Sequence, residues 1–156
     1  MKKYFLLLSL IIIGISSCTK STPVAVSAAQ QAATDNSLIQ AYIKANNITA
    51  TEDPSGLYYS VITPGTGVYP SANANITVTY TGSLVTGYIF SPSSSLTASL
   101  SGLIQGWQIG IPHINAGGTI LLLVPSALGY GTSSPGAGVP ANSVLVFTIT
   151  LKSFTD

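Results

Sequence analysis

The chain has 156 residues, of which 46% are hydrophobic and 6% charged, with five basic and four acidic side chains. One domain with a short appendage fits that length, and low charge with high hydrophobicity is the opposite of a disordered composition. Five scattered cations cannot form the stripe that neutralises phosphates, which excludes nucleic acid as a partner. One Cys and one His cannot build a Cys/His zinc site. A Ser-His-Asp triad would have to use His113, and the only acids are Asp35, Glu52, Asp53 and Asp156; a glycosidase carboxylate pair is equally short of candidates. Any enzyme chemistry here runs without a metal, a cofactor, a proton shuttle or a charged nucleophile.

Lys2 and Lys3 precede an apolar run from Tyr4 to Ile15, broken only by Ser9 and Gly14, and then Ile15-Ser16-Ser17-Cys18. A basic start, an apolar stretch of about a dozen residues and small residues before a cut describe a secretory signal. The run falls short of the ~20 residues a spanning helix needs. Cys18 has no disulfide partner, which is odd in an exported chain. Its position after small residues resembles the lipobox of a bacterial lipoprotein, and that resemblance implies cleavage before Cys18 and acylation there. Two or more acyl chains, at ~0.8 kcal/mol per buried CH2, anchor a protein stably. The open alternatives are an uncut anchor and a free thiol after ordinary secretion. Without Lys2 and Lys3, three basic residues face four acidic ones, so the lipid and not a polybasic patch would hold the membrane. The location implied is the cell envelope, lipid-anchored and facing the periplasm or the cell surface.

Residues 1–17 thus read as the signal peptide and 18–34 as a flexible Ser/Thr/Ala/Gln tether. Residues 35–54 form a helical extension. Its helix spans Asp35 to Asn47, is capped by Thr34 or Asp35, carries a stripe of Leu38, Ile39, Tyr42 and Ile43, and stops at Asn46-Asn47. Two roles are open for it: packing onto the domain, or a dimer contact. From Ser55 the pattern turns to β. Leu57, Tyr59 and Val61 alternate, and Pro64-Gly65-Thr66-Gly67 makes a turn. Ile76, Val78 and Tyr80 alternate with threonines, Thr119 to Val124 is a covered strand, and Leu145, Phe147, Ile149 and Leu151 mark a last strand. Leu103, Ile104, Trp107 and Ile111 fall at helical spacing between them. One short helix within an antiparallel sheet is an α+β pattern.

Three segments together resemble the FKBP family of peptidyl-prolyl isomerases. They are Val78-Thr79-Tyr80-Thr81-Gly82-Ser83-Leu84 with Gly87-Tyr88-Ile89-Phe90; Leu103 to Ile111; and Gly117-Gly118 through Val124-Pro125 and Leu128-Gly129-Tyr130-Gly131 to Val139-Pro140-Ala141-Asn142-Ser143-Val144-Leu145-Val146-Phe147. The resemblance covers residues 55–156 and implies a curved antiparallel sheet of about five strands wrapped around one short helix. It implies a proline pocket between the sheet, the helix and the loop after Tyr130. Tyr80, Phe90 and Tyr130 match the family's catalytic positions, Tyr130 giving its hydroxyl to a ligand carbonyl. Leu103, Ile104, Trp107, Val139 and Phe147 match its substrate-binding walls, with Trp107 as floor and the Ile104 N–H on a ligand carbonyl. His113 matches no role.

The resemblance also implies an activity that suits a charge-poor chain. Rotation about an X-Pro bond breaks no covalent bond and moves no proton, and unaided it takes tens to hundreds of seconds. The twisted amide is less polar than the planar one, so a dry apolar pocket favours it. Two departures from the family stand out. Its usual Asp after the pocket Phe is here Ser91, and its usual Phe in the next segment is absent from Ser91 to Gly102, where Leu96, Ala98 or Leu100 has to fill the space. The leading expectation is a lipid-anchored prolyl isomerase that assists folding of exported proteins, with proline-containing polypeptides as partners. Two alternatives remain: a binding module for prolyl or apolar peptides with little turnover, and a surface or adhesion protein without affinity for prolyl ligands.

Overall fold

The computed structural model describes residues 26–136 and 138–156; the signal, Cys18 and the tether up to residue 25 lie outside the described residues. In chain order the elements are α1 (Ala28–Ala45), β1 (Thr51–Glu52), β2 (Tyr58–Thr63), β3 (Asn75–Leu84), β4 (Ile89–Ser99), α2 (Gln105–Gly110), β5 (Thr119–Val124) and β6 (Leu145–Thr155). Single 3₁₀ turns occupy Leu100–Gly102, Ile111–His113 and Ser126–Leu128. The strands form one antiparallel sheet in the order β1-β2-β5-β6-β3-β4.

Period-2 alternation sorts the side chains between the two faces. In the β3–β6 pair, Val78 sits opposite Leu151, Tyr80 opposite Ile149 and Gly82 opposite Phe147. These residues look toward α2, and Ile120, Leu122 and Val124 of β5 join them in the main core. The in-between residues of β5 and β6, Leu123 and Val146, are buried on the other face under Ile39 of α1, together with Tyr58 and Val144. This explains the unbroken apolar run of β5: it has no solvent face.

α2 reaches its place because it carries Gly106 and Gly110, which share a helix face at i and i+4. A methyl group at Gly106 would lie 2.6 Å from Val124 Cγ1, and one at Gly110 would lie 2.5 Å from Leu122 Cδ2. The helix backbone therefore rests directly on β5.

The structure departs from the sequence reading in three places. The sheet has six strands, the additional one being the short β1, which pairs Thr51 with Tyr59 and Glu52 with Tyr58. The serine-rich stretch after Phe90 is the eleven-residue edge strand β4, paired with β3 from Asn75↔Ser99 to Tyr80↔Ser94. Its register shifts between Tyr80 and Gly82, beside Pro92 and the positive-φ Ser93, where an edge strand tolerates a proline. Helix α1 starts about two turns earlier than expected, so residues 28–34 are helix and not tether. Ser27 is its N-cap, joined to Gln30 in a reciprocal capping box, and the Ala-Ala-Gln-Gln-Ala-Ala run that follows has high helix propensity.

Neither Thr34 nor Asp35 is the cap. Thr34 donates to the Gln30 carbonyl at 2.9 Å, inside the helix. Asp35 is buried at 1% exposure. Its Oδ2 accepts from the Ser126 N–H at 2.8 Å and from Ser126 Oγ at 2.6 Å, and its Oδ1 accepts from Gln31 Nε2 at 2.7 Å. The helix is fastened further by Tyr58, whose hydroxyl donates to Asn36 Oδ1 and accepts from Gln40 Nε2. Burial, and then the Glu52 carboxylate, push the Tyr58 phenol up from its ordinary value. Ile39, Tyr42 and Ile43 pack on the sheet while Leu38 stays exposed, which is the packing role of the two considered. α1 ends where expected, with Asn47 at φ 52° in the left-handed region that closes helices.

Alanine at Gly106 or Gly110 would overpack the α2–β5 contact. Each substitution should lower unfolding free energy by about 1–3 kcal/mol, read from the urea midpoint at unchanged slope. An unchanged midpoint for both would show that the contact is looser than described.

Candidate functional site

A cavity of about 290 Å³ opens between α2, the concave face of β3, β4 and β6, and the loop that follows Tyr130. All eight residues named as site candidates line it: Tyr80, Phe90, Leu103, Ile104, Trp107, Tyr130, Val139 and Phe147. The core strands deliver Tyr80 and Phe147, β4 delivers Phe90, the entry to α2 delivers Leu103 and Ile104, and α2 itself delivers Trp107.

The aromatic rings form a cage of edge-to-face contacts. Trp107 meets Tyr80 with centroids 5.0 Å apart at 81° and Phe147 at 5.3 Å and 88°; Phe90 meets Phe147 at 5.7 Å and 84°. Such pairs stabilise by ~0.5–1.5 kcal/mol beyond the area they bury. The Phe90–Phe147 contact needs Gly82, where a Cβ would sit 2.6 Å from Phe90 Cε2 and 2.9 Å from Phe147 Cε1. Trp107 is 4% exposed, and its buried indole N–H has no hydrogen-bond partner among the described residues.

The polar groups at the cavity are few. Ile104 is the N-cap of α2; its carbonyl accepts from the N–H groups of Trp107 and Gln108, and its own N–H has no intrahelical partner, as at every helix start. Tyr130 is half-buried. Burial, and then the neighbouring Tyr80, push its phenol up from the ordinary value, so its hydroxyl stays a proton donor throughout the neutral range. Ser91 lines the wall where a carboxylate was the family expectation, and its hydroxyl pairs with that of Ser94 at 2.8 Å. Among the three fillers considered for that segment, Leu96 lines the cavity and Leu100 is fully buried in the core beneath it.

Two wall residues escaped the sequence reading: Pro135 and Gly136. They lie in a loop without periodicity. Ser134 Oγ holds the loop's turn by donating to the Val139 carbonyl at 2.6 Å, and Gly136 bridges to Val139. His113 lies outside the cavity, stacked on Tyr59 with centroids 4.1 Å apart and 12° between planes. A second, larger cavity of about 490 Å³ lies between α1 and the Pro125–Leu128 segment. Among the described residues its only aromatic wall is Tyr58; Asp35 and Ser126 also line it, and none of the eight candidate residues does. Among the described residues no group of three His, Cys, Asp or Glu side chains could hold a metal.

A curved sheet on one helix, with an aromatic-walled cavity between them and few polar side chains on its lining, suits the enclosure of a small apolar ring. The FKBP-type peptidyl-prolyl cis-trans isomerase profile matches residues 67–152. The chain is 38% identical over 104 residues to the outer membrane protein MIP of Legionella longbeachae, covering 64% of this chain and 45% of that one. It is 38% identical over 101 residues to the FKBP-type isomerase FkpA of Escherichia coli K12, covering 62% of this chain and 37% of that one. The crystal structure of Escherichia coli FkpA superposes with a TM-score of 0.69 at 30% identity, over 81% of this chain and 62% of that one. A peptidyl-prolyl isomerase of Pseudomonas syringae pv. tomato superposes at 0.67 with 26% identity, over 80% and 96%. The chain belongs to the FKBP-type peptidyl-prolyl cis-trans isomerase family. It spans less than half the length of these curated relatives.

Among the described residues the only titratable side chains lining this cavity are Tyr80 and Tyr130. Affinity for a prolyl macrolide of the rapamycin type should therefore vary by less than about twofold from pH 5 to 8. Trp107 is the single Trp of the chain, so its fluorescence reports binding directly. Tyr130→Phe should weaken binding by about 0.5–1.5 kcal/mol, the value of one hydrogen bond. A pH step near an imidazole pKa, removed by His113→Ala, would contradict the assignment of the site.

Proposed function

We propose that this protein is a peptidyl-prolyl cis-trans isomerase that assists the folding of exported proteins. The convergence of Tyr80, Phe90, Trp107, Tyr130 and Phe147 on one cavity, in a chain of this family, carries the reading. The proline ring enters the aromatic cage over Trp107, with Val139 and Leu96 closing its sides. The Tyr130 hydroxyl and the Ile104 N–H hold carbonyl oxygens of the peptide. The barrier of ~18–20 kcal/mol resides in amide resonance. A twisted amide has lost part of that resonance and its dipole is smaller. Transfer from water into an apolar cage therefore costs the twisted state less than the planar one, and the difference lowers the barrier. No proton changes place and no bond breaks.

The second reading, a prolyl-peptide-binding chaperone with little turnover, draws on Ser91. Its hydroxyl bonds to Ser94, so Tyr80 has no carboxylate beside it at that position. A tetrapeptide isomerisation assay separates the two. The isomerase reading requires acceleration over the uncatalysed rate; ligand binding seen by Trp107 without acceleration would establish the chaperone instead. Ser91→Asp should raise kcat/KM by at least about threefold, since hydrogen bonds to charged groups are worth ~1.5–3 kcal/mol.

The same proposal places the domain at the membrane through acylated Cys18, at the end of a cleaved signal of residues 1–17, in the cell envelope. No described helix is long and apolar enough to cross a membrane. Cys18→Ala should release the protein from the membrane fraction or block its processing, and intact mass of the extracted protein should show the acyl chains. An unmodified Cys18 in membrane-extracted protein would end the lipid-anchor reading.

A further inference from the structure

Tyr130 reaches the cavity from a loop and not from a strand. It follows the 3₁₀ turn Ser126–Leu128 and stands between Gly129 and Gly131. On its N-terminal side it is held by the carbonyl of Ser126, which accepts from the N–H groups of both flanking residues, Gly129 at 3.0 Å and Gly131 at 2.8 Å; on the other side the Tyr130 and Gly131 carbonyls accept from the Ser133 and Asn142 N–H groups at 3.0 and 2.7 Å. Ser126 is itself 2% exposed. Its N–H and its hydroxyl both donate to Asp35 Oδ2, from a helix 91 residues earlier in the chain. Three links thus connect the N-terminal helix to Tyr130: Asp35 holds Ser126, the Ser126 carbonyl holds the N–H groups of Gly129 and Gly131, and these set the course of the backbone that carries Tyr130.

Burial makes this connection costly to leave half-made. Asp35 is one of four acidic residues in the chain and the only one among the buried residues. A carboxylate taken out of water is tolerated only where donors satisfy it. Here every donor to it comes from Ser126 or from Gln31. An apolar residue at this helix position would bury without that cost, but the Ser126 N–H would lose its acceptor and the turn its orientation.

We propose that Asp35 is a positioning residue for Tyr130, through which the N-terminal helix sets the geometry of the cavity from the opposite side of the sheet. The proposal rests on the isomerase reading. It differs from a purely structural role in one measurable respect: the effect of Asp35 on catalysis has to pass through the Tyr130 hydroxyl.

A double-mutant cycle on the full chain tests this, with kcat/KM on a tetrapeptide and prolyl-macrolide affinity by Trp107 fluorescence as readouts. Asp35→Ala should lower both by about two- to fivefold, the scale of a misplaced contact and no more than Tyr130→Phe causes. In the Tyr130→Phe background the same substitution should change neither by more than about 1.5-fold. Asp35→Asn keeps an oxygen for Ser126 and should stay within about twofold of the parent. Should Asp35→Ala fail to fold, Ser126→Ala removes one of the two bonds and leaves the backbone bond; its loss should likewise vanish in the Tyr130→Phe background. Equal losses in both backgrounds, or no loss in a folded Asp35→Ala protein, would overturn the positioning role while leaving the isomerase reading in place. A parent chain that neither binds nor accelerates would overturn both.

Discussion

A helix can approach a sheet only as closely as the side chains between them permit. At Gly106 and Gly110 there are none, and the α2 backbone lies against Val124 and Leu122 of β5. The rest of the molecule is arranged around that approach. Trp107, one residue after Gly106, is carried into the space between Tyr80 and Phe147 and becomes the floor of the cavity. Ile104, at the helix start, becomes part of its wall. A helix held farther out by two methyl groups would leave a void beneath the indole and a wider, wetter cavity above it. The core and the site are therefore parts of one packing solution, and most substitutions in the cage will be felt in stability as well as in binding.

The cavity is as poor in charge as the chain around it: among the described residues no Asp, Glu, Lys or Arg lines it. The cavity offers aromatic edges, aliphatic walls, the phenols of Tyr80 and Tyr130 and the hydroxyl of Ser91. Burial, and then Tyr80, push the Tyr130 phenol up from its ordinary value. The charged groups that the chain does have are elsewhere. Asp35 is spent on fastening a turn, and Glu52 stands beside Tyr58 under α1.

The core strands were legible because burial on one or both faces leaves a pattern. The alternation of Ile76 with Val78 and of Leu145 through Leu151, and the unbroken run of β5, follow directly from which faces are covered. The resemblance to known isomerases picked out the eight cavity residues, which periodicity alone would have left as core. β4 was not legible: an edge strand of serines, with Pro92 at its bulge, has neither alternation nor an apolar face long enough to count. The first two turns of α1 were read as tether because Ala and Gln serve both a flexible linker and a good helix. The Ser27–Gln30 capping box was the signal that distinguished them. Pro135 and Gly136 left no trace, since a loop held by Ser134 and one bridge obeys no period.

The strand order has a consequence for how the chain comes to be folded. β6, last in chain order, lies between β5 and β3. Until it has been synthesised, the earlier strands can make only two separate pieces, β1-β2-β5 and β3-β4, with no hydrogen bonds joining them. The cavity draws Tyr80 and Phe90 from one piece, Trp107 from the helix between, and Phe147 from β6 itself. Val144 and Val146, the seat of α1, also arrive at that point. A nascent chain thus carries its first helix and most of its sheet as unsatisfied surface until the final segment closes the ladder. Pairings of such long range are slow to form and prone to association meanwhile. In this topology the cavity is assembled in one step, when β6 joins the two pieces and brings Phe147 to Tyr80, Phe90 and Trp107.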